Sequence, residues 1–437
     1  MTPLQTNDPS ESSFDLLRVI VVAAVAGAVI GLIGGAFRSV LDATGRKMLM
    51  FVDYLKEVDG QWLIPGFIVT AVITSVCVGI ARYLVKLEPS TIGSGIQHVE
   101  AVMKEGATPS RFRAIPIKFL GGLLSISTGM VLGKEGPTVQ IAAVIGSECG
   151  KLFRLKAVEQ SLLYTAVAGA GLSVAFNAPL AGIAFSVEEI AKKVSLKRLM
   201  VSITAVCSGI IVFRTYFGNS IEFVVGDLLP DNAVSLCLYL LFSVILSAIG
   251  VFYSRTVISA LNISDSFHQI SPVAKAMIIG AGVGLLGYFF PGWVGGGGPQ
   301  VDTILSQQSF LLPLALMIAV RFFLGPISYV TGVPGGLFTP LLLMGSGLGV
   351  IFVIMINPLL SMAQLGALDP ISFALVGMAA FFTVVVRSPL TGILLVIEMS
   401  GKVELIIPLL ISSVVCTLIP AVMKQEPIYD LLLSRKP

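Results

Sequence analysis

Apolar runs without a single charged residue alternate along this chain with short polar connections. The runs cover 20–37, 63–81, 119–133, 161–187, 199–213, 233–253, 276–301, 304–320, 322–368, 371–386 and 405–423. Crossing a hydrocarbon layer of ~30 Å takes about 20 helical residues. Several runs are too short for that, and others are long enough for two segments. The run 161–187 is interrupted at Asn177-Ala178-Pro179, and 322–368 at Pro326, Pro334, Pro340 and Pro358. The pattern predicts an all-α polytopic membrane protein of broken, tilted helices. Discontinuous helices point to a transporter more than to a receptor.

Composition narrows the class. Of 437 residues, 55% are hydrophobic and only 12% charged, with a mean hydropathy of +0.94; soluble domains carry about 25% charged residues. Glycine (45) and proline (23) are abundant, which membrane helices tolerate and broken ones need. The net charge of +3 gives no reason to expect a nucleic-acid partner. Cys77, Cys149, Cys207, Cys237 and Cys416 lie in or beside apolar runs without metal-type spacing, and read as small hydrophobes. With His98 and His268 the only histidines, no metal site and no cofactor are expected. Residues 1–15 carry Asp8, Glu11 and Asp15 instead of a basic leader, so the first run reads as a membrane helix rather than a cleaved signal.

Lysine and arginine set the expected sidedness. Lys151, Arg154 and Lys156, then Lys192, Lys193, Lys197 and Arg198, then Lys424, Arg435 and Lys436 fill short connections, whereas 216–231 has Glu222, Asp227 and Asp231 and no basic residue. The positive-inside bias places the basic groups and both termini in the cytoplasm and the 216–231 connection outside.

The chain also matches itself. Gly93-Ser94-Gly95-Ile96-Gln97-His98-Val99-Glu100 is similar to Gly295-Gly296-Gly297-Gly298-Pro299-Gln300-Val301-Asp302. Thr128-Gly129, Gly133 and Pro137 return 203 positions later as Thr331-Gly332, Gly336 and Pro340; Pro179-Leu180, Gly182-Ile183 and Glu188 return 210 positions later as Pro389-Leu390, Gly392-Ile393 and Glu398. Three matches in one order indicate two inverted repeats. The expected division is a polar 1–15, a first membrane repeat 16–216, a connection 217–231, a second repeat 232–423 and a short segment 424–437 bearing Tyr429. Glu135 and Phe338 are counterparts in this register. Each half therefore sends a broken-helix N-terminus toward the repeat interface, where such proteins hold their substrates.

Chemistry concentrates at those ends. Lys134-Glu135 stands between charge-free runs, and an ionised side chain at membrane depth costs ~2.5–3.5 kcal/mol on the insertion scale. A helix N-terminus offers free N–H groups and about half a positive charge, enough for an anion without a permanent cation. Conduction also needs binding weak enough to allow exit. Segments starting near Ser94, near Glu135–Pro137 and near Leu337-Phe338 are each preceded by glycine, which lets the backbone approach an ion.

GSGI at 93–96, GKEGP at 133–137 and GGLFTP at 335–340 resemble the three anion-site motifs of the CLC family of chloride channels and chloride–proton antiporters. FNAPLAG at 176–182, followed by Glu188-Glu189, resembles the family's inner-acid helix, and Pro427-Ile428-Tyr429 its last motif. The likeness spans nearly the whole chain and is that of the bacterial type, without paired CBS domains. It implies chloride binding by the hydroxyls of Ser94 and Tyr429 and the backbone N–H groups of Leu337 and Phe338. It further implies an external gate at Glu135, inner proton transfer at Glu189, and a gate loop of Gly133, Gly136 and Pro137 braced by a Glu100–Lys134 pair. The implied activity is exchange of chloride for protons by a homodimer with one pathway per subunit, in the inner (plasma) membrane. Gln97 departs from the family's proline and leaves anion selectivity open.

Other readings stay open on residues alone. Glu135 is also a plausible helix-capping charge, Glu188-Glu189 the interfacial end of a helix, Ser94 a packing residue and Tyr429 an interface tyrosine; Arg321 and Arg387 read as helix ends. A passive anion channel of the same fold is the main alternative. An intramembrane enzyme would need His-Glu-x-x-His, Gly-x-Ser-Gly or facing aspartates, and none is present.

Overall fold

A computed structural model describes residues 13–58, 64–306 and 310–435. The acidic stretch with Asp8 and Glu11, and Lys436, lie outside the described residues. Among the described residues the chain is mostly helical, with no strand beyond one isolated bridge.

Two sets of eight helices follow one another. The first is α1 (Ser13–Glu57), α2 (Gly66–Leu87), α3 (Ile96–Lys104), α4 (Ala114–Ile126), α5 (Glu135–Leu152), α6 (Ala157–Phe176), α7 (Pro179–Phe185) and α8 (Leu196–Phe217). A π-helical turn, Ser186–Ala191, extends α7. The second is α9 (Ala233–Ser266), α10 (Pro272–Phe289), α11 (Gly298–Leu305), α12 (Leu311–Val330), α13 (Phe338–Met362), α14 (Pro370–Val386), α15 (Pro389–Ser400) and α16 (Ile406–Val422), with α17 (Ile428–Ser434) closing the chain. Eight of the helices are long and apolar enough to cross a membrane; α3, α7, α11 and α15 are short. In both sets the third and seventh helices are the short ones, as a repeat requires.

Burial sorts the helices into layers. α6 and α14 are apolar on all sides and buried almost throughout, the signature of helices that meet only protein. α2 and α9 leave Ile68, Val72, Val76, Ile80, Leu240, Leu241, Val244 and Phe252 exposed, faces suited to lipid. Outer helices pack in corresponding pairs, α1 on α8 and α9 on α16, and α2 crosses between the halves to α10.

The halves are sewn together by reciprocal bonds at corresponding positions. Gly133 and Gly336 exchange both backbone hydrogen bonds, each 2.7 Å. Gly93 N–H donates to Gly332 O at 3.4 Å, and its counterpart Gly295 N–H donates to Gly129 O at 2.7 Å. Ser125 Oγ donates to Pro334 O at 2.8 Å, while Ser328 Oγ accepts from Val131 N–H at 3.2 Å. Proline has no N–H to give, so the two serines play opposite roles.

Two expectations need correction. Only the stretch around Pro334 interrupts 322–368: Pro326 lies inside α12, Pro358 inside α13, and Pro340 in the first turn of α13. A helix start has no N–H bond to lose, and packed neighbours compensate an interior proline in a membrane protein. Arg321 is not at a helix end but midway along α12 and buried. Arg387 does end its helix, as the left-handed C-cap of α14.

Candidate functional site

Three helix N-termini from the two halves meet inside the molecule. Gly95 takes φ 85° and turns the chain into α3 directly after Ser94; an L side chain resists that conformation. Its counterpart Gly297, φ 114°, opens α11 in the same way. α5 begins at Glu135, two residues before Pro137, and its second residue Gly136 lies against Ser94: a Cβ there would be 2.3 Å from Ser94 Oγ. α13 begins at Phe338 with Leu337 as its cap, held beside α5 by the Gly133–Gly336 bridge. Tyr429, on the first turn of α17, packs its ring 6.0 Å from that of Phe338. Ser94, Glu135, Leu337, Phe338 and Tyr429 are all fully buried.

The polar atoms here are unusually short of partners. Glu135 Oε1 accepts the Thr339 hydroxyl from α13, while its Oε2 has no hydrogen-bond partner. The Ser94 and Tyr429 hydroxyls lie close to one another, yet neither forms a hydrogen bond that would satisfy it. A buried orphan hydroxyl costs on the order of 1–3 kcal/mol, which an anion accepting from both would relieve. The N-termini of α3, α5 and α13 and two O–H donors are thus gathered beside the buried Glu135. Outside lies a cavity of about 410 Å³ lined by Gly133, Lys134, Glu222, Gln300, Asp302 and Thr339 among others.

On the other side, Glu189 is buried in the π-helical turn after α7 and accepts the Ser388 hydroxyl, leaving Oε1 without a partner. The Glu100 carboxylate faces it from α3. Glu100 Oε2 also accepts from Lys104 at 2.6 Å, and Lys104 and Lys192 both pair with Asp430 on α17. Two neighbouring carboxyls are thus linked through Lys104 to a charged cluster with Asp430 and Lys192.

The brace expected between Glu100 and Lys134 is not formed. Lys134 Nζ lies 3.5 Å from Glu222 in the connection between the halves, and Glu222 also pairs with Arg38 of α1. Glu100 points away, toward Glu189 and Lys104. The physical reason is the fold: α3 runs from the hollow toward one face, whereas the turn before α5 faces the other. Burial would push the Glu222 carboxyl up, but Lys134 and Arg38 hold it below the ordinary glutamate value.

Four further residues were not singled out as functional from sequence. Lys118 is fully buried in α4 and donates Nζ to Gly93 O at 2.7 Å, behind the Ser94 turn. Its counterpart Arg321 donates to Gly295 O at 2.8 Å behind the matching turn. Glu188 accepts from the N–H groups of Leu390 and Thr391 at 3.0 and 2.8 Å, capping α15; Glu398 accepts from Leu180 and Ala181, both 2.9 Å, capping α7. The repeat register already pairs 188 with 398 at the 210 offset, and the 203 offset shared by 118 and 321 is the signal that could have found the other pair. Gln97 sits in the first turn of α3 and donates its amide to Ile92 O at 3.2 Å, so a helix start at Ile96 is reached without proline.

Comparison with known proteins matches this geometry. The family model for voltage gated chloride channels matches residues 75–421. The H(+)/Cl(-) exchange transporter ClcA of Citrobacter koseri is 34% identical over 432 residues, covering 96% of this chain and 89% of that protein. The crystal structure of a slow cyanobacterial Cl-/H+ antiporter superposes with a TM-score of 0.88 at 30% identity, over 96% of this chain and 97% of that one. A CLC-type fluoride/proton antiporter shares the fold, with a TM-score of 0.77 at 20% identity over 97% and 99% of the two chains.

Proposed function

The chain belongs to the voltage gated chloride channel family, and from that premise we propose that it exchanges chloride for protons across a membrane. The observation that carries the reading is a buried carboxylate, Glu135, placed where the N-termini of α5 and α13 meet, with the paired orphan hydroxyls of Ser94 and Tyr429 beside it.

Chloride is held by the Ser94 and Tyr429 hydroxyls and the N–H groups of Leu337 and Phe338. Helix ends supply partial charge, so the ion is attracted without being trapped. When ionised, the Glu135 carboxylate occupies an anion position and blocks the path. Protonated, it loses its claim on the positive hollow and swings aside. Chloride and the carboxylate thus compete for one place, and the competition couples the two ions. Protons reach Glu135 from the opposite face through Glu189, whose Glu100, Lys104 and Asp430 neighbours connect it to the surface. Gly133, Gly136 and Pro137 shape the gate turn: the glycines permit the close backbone approach, and the proline sits where no N–H is needed.

Domain limits follow the repeat, 16–216 and 232–423, joined by 217–231. The basic connections and both termini lie in the cytoplasm of a cell whose inner membrane holds the protein. It works as a homodimer with one pathway in each subunit. The relatives named above as exchangers support the exchange itself.

Purified protein in liposomes, with chloride and proton electrodes read together under a pH gradient, tests it. Uphill proton movement driven by chloride is the expected result. A reversal potential that follows chloride alone would make the protein a passive channel instead.

A further inference from the structure

The connection between the halves does more than link them. Residues 218–232 fold back over the outer cavity, held by Asn177 Nδ2 donating to Ser220 O at 3.0 Å and by Phe223 N–H donating to Met399 O at 2.9 Å. Those bonds anchor the loop to both halves. Between them Glu222 turns inward, its side chain only 15% exposed, and meets Arg38 of α1 and Lys134 of the gate turn. Arg38 is itself fixed: it donates to Ala175 O at 3.3 Å and lies over the Phe213 ring. Asp302 of α11 faces Glu222 across the cavity, and Asp42 and Arg46 of α1 line the same space.

Lys134 immediately precedes Glu135, whose carboxylate is bonded to Thr339 at the cavity's inner end. Unpaired, the ammonium would hold that carboxylate ionised and the gate shut. Its charge is partly offset by Glu222. Resting on the exchange reading above, we propose that Glu222 is a positioning residue for that reaction: by engaging Lys134 from the inter-repeat connection, it sets the pH range over which Glu135 accepts a proton.

Glu222→Gln leaves Lys134 and Arg38 uncompensated beside the gate, favouring ionised Glu135. The pH of half-maximal exchange then moves in the acid direction by about one unit, the size expected for an opposite charge a few ångströms away. Lys134→Met leaves Glu222 paired with Arg38 and moves the midpoint in the alkaline direction. The double variant returns toward the native midpoint, and Glu222→Asp keeps it. Chloride and proton fluxes from liposomes at a series of external pH values give these midpoints. If Glu222→Gln does not purify, Lys134→Met reads the same interaction with opposite sign.

A Glu222→Gln profile lowered at every pH with an unmoved midpoint would overturn the proposal, since that is what a purely structural brace gives. An equal acid shift with and without Lys134 would overturn it too. Native protein that moves chloride without protons would sink the exchange reading separately, and the midpoints of chloride flux would still decide the role of Glu222.

Discussion

The two halves of this molecule share the contacts that join them but not the side chains at the positions proposed to carry ions. Gly133 and Gly336 bond each other, Glu188 and Glu398 each cap a helix of the opposite half, and Lys118 and Arg321 each hold the carbonyl of a glycine-rich turn. The positions assigned to transport match in none of their side chains. Ser94 corresponds to Gly296, Glu135 to Phe338 and Glu189 to Met399. A repeat of like halves delivers the N-termini of α5 and α13 to one place without further design; the acids Glu135 and Glu189 and the Ser94 hydroxyl stand in the first half alone, and Tyr429 follows both. The second half contributes the Thr339 and Ser388 hydroxyls that donate to Glu135 and Glu189, together with apolar walls, with Phe338 packed between Phe185, Phe382 and Tyr429.

Replacing the acids breaks that asymmetry most severely. Glu135→Ala or Glu135→Gln should abolish proton movement while chloride flux persists, as read by paired electrodes; uphill proton transport in the alanine variant would remove Glu135 as the gate. Glu189→Gln should likewise stop proton movement and leave chloride passage. Its counterpart change, Met399→Leu, should alter both fluxes by less than about twofold, because a volume-conserving apolar exchange perturbs a core little.

Binding should weaken next. Ser94→Ala and Tyr429→Phe each remove one O–H donor to an anion. A hydrogen bond to a charged group contributes about 1.5–3 kcal/mol, so chloride affinity by titration calorimetry should fall roughly tenfold or more per donor. An unchanged affinity in both variants would exclude these hydroxyls as ligands.

Agreement between the halves predicts matched, smaller effects. Glu188→Ala and Glu398→Ala each delete the acceptor of a helix N-terminus and should each cost about 1–2 kcal/mol of stability. Thermal unfolding in detergent should show similar losses for the two. A large loss for one and none for the other would mean that the halves are not held together symmetrically.

The sequence carried the architecture further than it carried the pairings. Glycine turns at fixed offsets revealed the repeat, because a turn that must bring backbone against backbone restricts its residues severely. Arg321 reads as a helix end and Lys118 only borders an apolar run, since a charge count cannot see that three carbonyls await the Arg321 guanidinium, and one the Lys118 ammonium, inside the fold. The partner of Lys134 lies 88 residues away in a connection without regular structure, so no local spacing could have disclosed it. Prolines 326 and 358 looked like breaks and are not, because neighbouring helices decide whether a lost N–H matters.

In the proposed exchange, chloride and the Glu135 carboxylate exclude each other from one place. Counting protons taken up when chloride binds to detergent-solubilised protein in weak buffer tests it most directly. Native protein should take up protons as chloride displaces the carboxylate, and Glu135→Gln should bind chloride with no uptake. Equal uptake by both proteins, or none by the native one, would contradict it.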